Sequence, residues 1–214
     1  ADKAAWDARA PGIKRELAKA LGLDPMPEKT PLNARVTGRV ERPGYIIENV
    51  VFESRPNFLV TANVYIPKGI AFPAPAIVVV PGHAMEDGKN YGLYMRAQLG
   101  LVRLGCIVLG YDPIGQGERK VAGFDHPMGY GSLLVGQTNE GMIVWDTMRG
   151  VDYLLTRPDV DPARLGLTGN SGGGENTFYT MPLEERFAVA ASFCFVCSYE
   201  DWIRDGGNHC ICNH

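Results

Sequence analysis

The chain has 214 residues, 45% hydrophobic and 21% charged, which is enough to bury one sizeable core and too apolar for general disorder. Its 21 Lys and Arg against 24 Asp and Glu give a formal net charge of −3. Nucleic acid and anionic membrane surfaces are therefore poor candidates as partners. The longest apolar stretch, Ala188–Val196, is far too short to span a bilayer.

The N-terminal third predicts a helix, a linker and an antiparallel unit. Residues 2–21 carry apolar residues at helical spacing, interrupted at Pro11-Gly12, and a proline-rich linker follows at 23–31. Two runs then read RVTGRVERPGYIIENVVFES and FLVTANVYIPKG. Both are rich in β-branched and aromatic residues and are broken by turn residues, which predicts an antiparallel meander.

From residue 73 onward, predicted strands and helices alternate. PAIVVVPGH and CIVLGYD are buried strands on either side of the helix NYGLYMRAQLGLVRLG. Residues 113–139 predict a glycine-rich flap on the substrate side, and EGMIVWDTMRGVDYLLTR predicts a helix with one apolar face. The run RLGLT is a short strand, a helix covers 175–181, and FAVAASFCFV is another buried strand. This alternation indicates an α/β fold with a parallel sheet covered on both faces.

Special residues follow three of these strands, as Pro81-Gly82-His83, Tyr111-Asp112-Pro113 and Asn170-Ser171-Gly172. Ligands of open α/β sheets bind beyond the carboxyl ends of the strands, so we expect the three groups to meet at one edge. The short Asp112 carboxylate should accept nearby backbone N–H groups and organise its own turn. Arg119 and Lys120, which open the flap, are candidates for contact with an acidic or sugar substrate, but such residues are usually only solvated, and that is the favoured interpretation.

The segment GLTGNSGGGENTF, residues 166–178, places Ser171 between a predicted strand and a predicted helix. This is the pattern of a nucleophile elbow, in which flanking glycines such as Gly169 and Gly173 allow close packing. Ser171 is then the nucleophile, and the Gly172 N–H is one oxyanion donor. The His83 N–H is the preferred second donor and that of Ala84 the alternative. Taken alone, the same glycines would also suit a flexible turn.

Residues 45–195 resemble the α/β-hydrolase superfamily, in the branch of acetyl xylan esterases, dienelactone-hydrolase-like proteins and glucuronoyl esterases. The motifs that carry the resemblance are ANVYIPKG, VVVPGH, GYDPIGQGER, TRPDVDPARLGLTGNSGGG and PLEERFAVA. The resemblance implies an esterase that acts through an acyl-enzyme on a small-molecule or carbohydrate ester, without a metal or organic cofactor. The length of the chain and the order of its predicted elements indicate one domain over 1–214, with a helix and linker at 1–34 and the sheet and its helices at 35–214.

The resemblance places the catalytic acid and then the histidine after the nucleophile, but only 43 residues follow Ser171. Two further β/α units of about 30 residues each would not fit. We therefore expect that C-terminal strands are missing from this chain, or that a second chain supplies the acid and the histidine. Glu200 is a candidate acid, with a helix N-terminal role as its alternative. His83, His126 and His209 are weaker candidates for the base.

Five cysteines form no recognisable disulfide framework. Cys194-x-x-Cys197, together with His209, Cys210, Cys212 and His214, superficially offers zinc ligands, but the spacing of the second pair is unsuitable. Buried free thiols are the favoured interpretation, followed by one disulfide and then by a metal site.

Two further functional classes remain open. One is another hydrolase on the same fold, such as a peptidase or a dienelactone-type enzyme, and the other is a non-catalytic binding module that keeps the elbow as scaffold. The localisation is undetermined. A start at Ala1 is what removal of an export signal or cloning would leave, which slightly favours a secreted or periplasmic protein.

Overall fold

The computed structural model describes residues 2–120 and 126–204, without the side chains of 126–130, 199, 202 and 203. The described helices are α1 (Lys3–Ala20), α2 (Gly92–Arg103), α3 (Asn139–Leu154), α4 (Gly172–Thr180) and α5 (Tyr199–Arg204). The strands are β1 (Arg35–Arg42), β2 (Tyr45–Arg55), β3 (Phe58–Pro67), β4 (Ala74–Val80), β5 (Ile107–Tyr111), β6 (Val160–Asn170) and β7 (Val189–Phe193). Short 3₁₀ segments cover Gly88–Asn90, Gly117–Arg119 and His126–Val135.

The seven strands form a single sheet in the order β1-β2-β3-β5-β4-β6-β7. The predicted meander is confirmed, because β1, β2 and β3 pair antiparallel, and β3 joins the remainder by an antiparallel pairing with β5. Strands β5, β4, β6 and β7 pair in parallel. Since β4, β5 and β6 are direct neighbours, their carboxyl ends lie side by side, as expected from the sequence.

The predicted break in the first helix is wrong, because α1 runs unbroken from Lys3 to Ala20 with Pro11 inside it. A proline in a helix interior removes one backbone hydrogen bond. Here the carbonyl left without that bond belongs to Asp7, which is exposed, so water can satisfy it. The far end of α1 and the turn after it are anchored by Ala18 and Leu21, which pack against α3.

Helix α3 is buried almost all around, with fifteen of its sixteen residues inaccessible or nearly so. The sequence predicts one apolar face, but α3 lies between the sheet and the α1 region. Its Trp145 packs against the α1 region and donates its indole N–H to the carbonyl of Ser54 at 2.8 Å. Burial on both sides explains why polar residues of α3 also become enclosed.

The flap predicted over 113–139 is only partly irregular, since two of the 3₁₀ segments lie within it, and residues 121–125 are outside the described part. Arg119 is not solvated as predicted. It is 7% exposed, its guanidinium lies 5.1 Å from the centre of the Phe58 ring, and it pairs with Asp146 at 2.6 Å. The buried Asp146 carboxylate draws the arginine inward. Lys120 is exposed and pairs with Glu86.

Strand β7 is not buried as predicted. Val189 and Phe193 are 63% and 56% exposed, and neighbouring residues alternate between exposed and half-buried. The physical reason is its position: within the described chain β7 is the last strand of the sheet and pairs with β6 alone. An apolar sequence therefore lies at an open sheet edge.

The prediction of buried thiols is wrong for two cysteines. Cys194 and Cys197 are exposed free thiols beyond the end of β7, and Cys106 is a half-buried free thiol. Cys210, Cys212, His209 and His214 lie outside the described residues. In the part of the chain that is described, no helix is long and apolar enough to cross a membrane.

Candidate active site

Ser171 occupies a strained turn between β6 and α4, with φ 57° and ψ −121°. Few non-glycine residues adopt such a conformation, which costs about 1–3 kcal/mol and is found mainly at functional sites. Two hydrogen bonds hold it: the Ser171 N–H donates to the Phe193 carbonyl at 2.9 Å, and the Glu175 N–H donates to the Ser171 carbonyl at 2.9 Å. Among the described residues, the Ser171 hydroxyl makes no capping bond to α4.

The glycines around Ser171 are required by close backbone packing. A Cβ atom on Gly169 would overlap the carbonyl of Gly173, and a Cβ atom on Gly173 would overlap the carbonyl of Val80. Strand β6, helix α4 and strand β4 thus approach each other too closely for any side chain at these positions. The interpretation of Gly169 and Gly173 as packing glycines is confirmed.

The loop after β4 lies directly beside the elbow. The His83 ring is so close to Gly172 that a Cβ atom there would lie 3.1 Å from the ring Cε1 atom. The His83 side chain is exposed, and its backbone follows Gly82, which contacts Ser171. The alternative oxyanion donor is already engaged, because the Ala84 N–H donates to Gln116 Oε1 at 2.7 Å.

The three strand ends enclose a small cavity of about 10 Å³, the size of roughly one water molecule. Their contributions are the segment 80–83, the residues Pro113 and Gln116, and Gly172. Its remaining wall is Glu140 and Ile143 of α3, which sequence reasoning missed. The sequence signal for Glu140 was an acidic residue in a helix first turn, which usually faces solvent, whereas here it is 2% exposed.

Tyr94 is a second missed residue at this edge. Its hydroxyl would lie 2.5 Å from a Cβ atom on Gly82, so it adjoins the loop next to the nucleophile. Burial raises the pKa of Tyr94, while hydrogen bonds from the Gly82 backbone and the Asn170 side chain oppose that rise. No pattern in the sequence connects a tyrosine in the first turn of α2 with the elbow.

The structure does not bring together a full catalytic triad from the described residues. Glu200 lies in the first turn of α5 and is exposed. The backbone of His126 begins a 3₁₀ segment, and its side chain is not described, while His209 and His214 fall outside the described residues. Within the described ranges, no group of three or more His, Cys, Asp or Glu side chains could hold a metal ion.

Comparison with known proteins decides the family. Residues 37–206, which include the elbow and both neighbouring loops, match the acetyl xylan esterase (AXE1) family. The chain belongs to that family. A Bacillus subtilis relative named as a hydrolase, YtaP, is 26% identical over 190 residues, which make up 85% of this chain and 62% of that protein.

Solved structures show the same fold for this family member. The methylesterase BT1017 aligns with a TM-score of 0.77 at 26% identity, over 99% of this chain and 45% of that one. Acetyl xylan esterase 1 from Thermoanaerobacterium aligns with a TM-score of 0.71 at 20% identity, over 92% and 63%. A glucuronoyl esterase from Solibacter usitatus aligns with a TM-score of 0.65 at 20% identity, over 90% of this chain and 59% of that one. The predicted α/β-hydrolase fold is confirmed, and the chain spans about half to two thirds of these proteins.

Proposed function

We propose that this chain carries the nucleophile and the oxyanion-binding loops of a serine esterase that cleaves carboxylic esters of carbohydrates. The observation that carries the proposal is the backbone of Ser171, a non-glycine residue with φ 57° at the junction of β6 and α4. Membership of the acetyl xylan esterase family supports ester substrates on a carbohydrate. The adjacent loop with His83 supports acyl transfer, since it can supply a second backbone donor.

In this mechanism, a histidine removes the proton of the Ser171 hydroxyl as the oxygen attacks the ester carbonyl carbon. The N–H groups of His83 and Gly172 stabilise the negative oxygen of the tetrahedral intermediate. The N-terminal end of α4 adds a favourable dipole. The histidine then protonates the departing alcohol oxygen, which leaves an acyl-Ser171 intermediate. Water, deprotonated by the same histidine, hydrolyses that intermediate and restores the serine.

We propose that this histidine and the acid that orients it come from polypeptide outside the described residues, in the same protein or in a second chain. The relatives extend well beyond the part that this chain matches. Glu200 is a candidate acid because it follows β7 on the carboxyl side of the sheet. His83 serves as backbone donor rather than base in this assignment.

The nucleophile is tested by labelling the full-length protein with a fluorophosphonate and by assaying p-nitrophenyl acetate and acetylated xylo-oligosaccharides. Ser171→Ala should lose the label and hydrolysis of both substrates while keeping a cooperative unfolding transition. Ser198→Ala, which changes an exposed serine beyond β7, is the matched control and should keep both. Labelling or turnover that survives in Ser171→Ala would exclude this serine as the nucleophile.

The division of the active site is tested with residues 1–214 alone. A serine without a positioned base is a weak nucleophile, so this polypeptide should bind ester substrates without enzymatic turnover. Adding the downstream segment, in the same chain or separately, should restore turnover. Full activity of residues 1–214 would show that their own histidines act, and His126→Ala and His209→Ala would then identify the base.

A further inference from the structure

The Asp112 carboxylate is the centre of a buried hydrogen-bond network beneath the oxyanion loop. Its Oδ1 accepts the Lys89 N–H at 2.8 Å, and its Oδ2 accepts the Lys89 ammonium at 2.5 Å. Oδ2 also accepts the Thr61 hydroxyl at 2.7 Å and the Glu118 N–H at 3.3 Å. Both side chains of the ion pair are 1% exposed. Asp112 thus organises its own turn, as the sequence predicts, and also binds a second loop.

Two glycines let the backbone close around this carboxylate. Gly88 and Gly117 both have positive φ, at 51° and 54°. A Cβ atom on Gly88 would overlap Asp112 Oδ1, and one on Gly117 would lie 2.5 Å from the same oxygen. The carboxylate is therefore enclosed by the backbone of both loops, and its position defines the spacing between them.

Further bonds join the loop after β4 to the loop after β5. The Gln116 side chain accepts the Ala84 N–H at 2.7 Å, and the Gly117 N–H donates to the Met85 carbonyl at 3.0 Å. The Gly88 N–H donates to the Ala84 carbonyl at 2.7 Å, which closes the first loop on itself. Every one of these bonds lies within a few residues of His83, whose N–H is the candidate oxyanion donor.

We propose that Lys89 is a positioning residue for catalysis: through its ion pair with Asp112 it holds the loop of residues 81–90 so that the His83 N–H points at the developing oxyanion. The inference rests on the proposed esterase function. Lys89 touches neither substrate nor Ser171. Its ammonium also bonds the exposed Glu118 at 2.5 Å, which gives Lys89 a second contact with the loop after β5.

Fold stability alone does not account for such a pair. Burying a lysine and a carboxylate costs the free energy of removing both charges from water, and their mutual attraction often does no more than offset that cost. Replacing such a pair with apolar residues of similar volume frequently leaves the folded state as stable. What the pair provides and an apolar contact lacks is direction, because one carboxylate bonds both the backbone and the side chain of Lys89. A misplacement of about 1 Å in an active site can cost roughly 100-fold in rate.

The test uses the full-length protein and the double variant Lys89→Met/Asp112→Asn. The single variant Lys89→Met would leave an unpaired buried carboxylate and can fail to fold. The double variant is neutral, and asparagine keeps the shape of Asp112. Arg149→Met is the matched control, because the buried Arg149 forms an ion pair with the partly buried Asp152, away from both loops.

Two readouts separate positioning from stability. Because oxyanion donors act in the transition state, kcat for p-nitrophenyl acetate should fall about 10- to 100-fold in the double variant with KM nearly unchanged. Amide hydrogen exchange over residues 82–88, measured by mass spectrometry, should accelerate. Arg149→Met should lower the unfolding midpoint while leaving kcat and this exchange within about twofold of the wild type.

The outcomes are distinct from those of the esterase proposal. A wild-type protein inactive on every ester would contradict the proposed function. The hydrogen-exchange measurement would then still test whether Lys89 holds the loop of residues 81–90. A folded double variant with wild-type kcat, or one with unchanged exchange over residues 82–88, would overturn the role of Lys89. An increase in KM alone would overturn it as well, since it would indicate a contribution to ground-state binding.

Discussion

Gly82 packs against Ser171 so closely that a Cβ atom on Gly82 would lie 3.1 Å from the Cβ atom of the serine. The contact joins the end of β4 to the elbow after β6, and these strands are neighbours in the sheet. It places the backbone of the next residue, His83, beside the nucleophile. The proposed oxyanion site therefore depends on Gly82, because only a residue without a side chain fits at this position.

Gly82→Ala should damage both stability and activity. The added methyl group would lie 2.5 Å from the Asn170 carbonyl and 2.5 Å from the Tyr94 hydroxyl, so the backbone must shift. We expect a loss of about 1–3 kcal/mol in the free energy of unfolding and a large fall in kcat. Gly100→Ala, in the middle of α2 with open space around it, should stabilise the protein slightly. Unfolding in urea and ester assays measure both effects.

The backbone strain at Ser171 should be measurable as a difference in the free energy of unfolding between two variants of this residue. Glycine tolerates φ 57° without penalty, whereas alanine is strained there as serine is. Ser171→Gly should therefore be more stable than Ser171→Ala by about 1 kcal/mol, although both lose activity. At Ser192, which lies within β7 and does not have positive φ, alanine should be the more stable of the two replacements, because glycine weakens a strand interior. Equal stabilities of the two Ser171 variants in urea would argue against strain at the elbow.

Asp152 should make the fold sensitive to acid. Burial by itself raises the pKa of its carboxyl, but hydrogen bonds from Lys29 and Arg186 outweigh that effect and hold the pKa below its ordinary value. The contribution of the Asp152 carboxylate to the free energy of unfolding is therefore complete above the pKa of the unfolded chain, about 3.9. It is lost as the pH falls through the lower pKa of the folded protein. Asp152→Asn should be less stable than the wild type at pH 7, and the difference should shrink toward pH 3.

The matched control for this measurement is Thr37→Ala, which changes an exposed residue that has no titratable group. Its difference from the wild type should vary little over the same pH range. Urea unfolding at several pH values gives the free energies directly. A constant gap between Asp152→Asn and the wild type down to pH 3 would contradict the linkage.

The open edge at β7 should make residues 1–214 self-associate when they are produced alone. Val189 and Phe193 are large, apolar and more than half exposed, and among the described strands β7 pairs with β6 alone. Val189→Lys or Phe193→Lys should reduce association, because a charged edge strand resists further pairing. Leu134→Lys, at a highly exposed site on a 3₁₀ segment, should not. Sedimentation velocity measures the oligomeric state, and a monomeric wild-type polypeptide would refute the prediction.

Local patterns in the sequence were sufficient to predict that three strand ends meet at one edge of a parallel sheet, and to predict the elbow itself. A nucleophile elbow is a contiguous strand, turn and helix, and its glycines are needed by contacts within a few residues or with the next strand. Parallel strands separated by helices bring their carboxyl ends to one edge as a matter of geometry. Hence the positions of Gly169, Ser171 and Gly173 in the elbow could be predicted from the sequence.

Tertiary structure alone decided which charged residues are buried and which apolar strand is exposed. Lys89 stands in a polar run that resembles a surface turn, and its partner Asp112 is 23 residues away on another loop. Arg119 is drawn inward by Asp146, which the two-sided burial of α3 had enclosed. The apolar run of β7 is exposed because the described sheet ends there. Burial depends on what packs on a segment, and those neighbours are distant in the sequence.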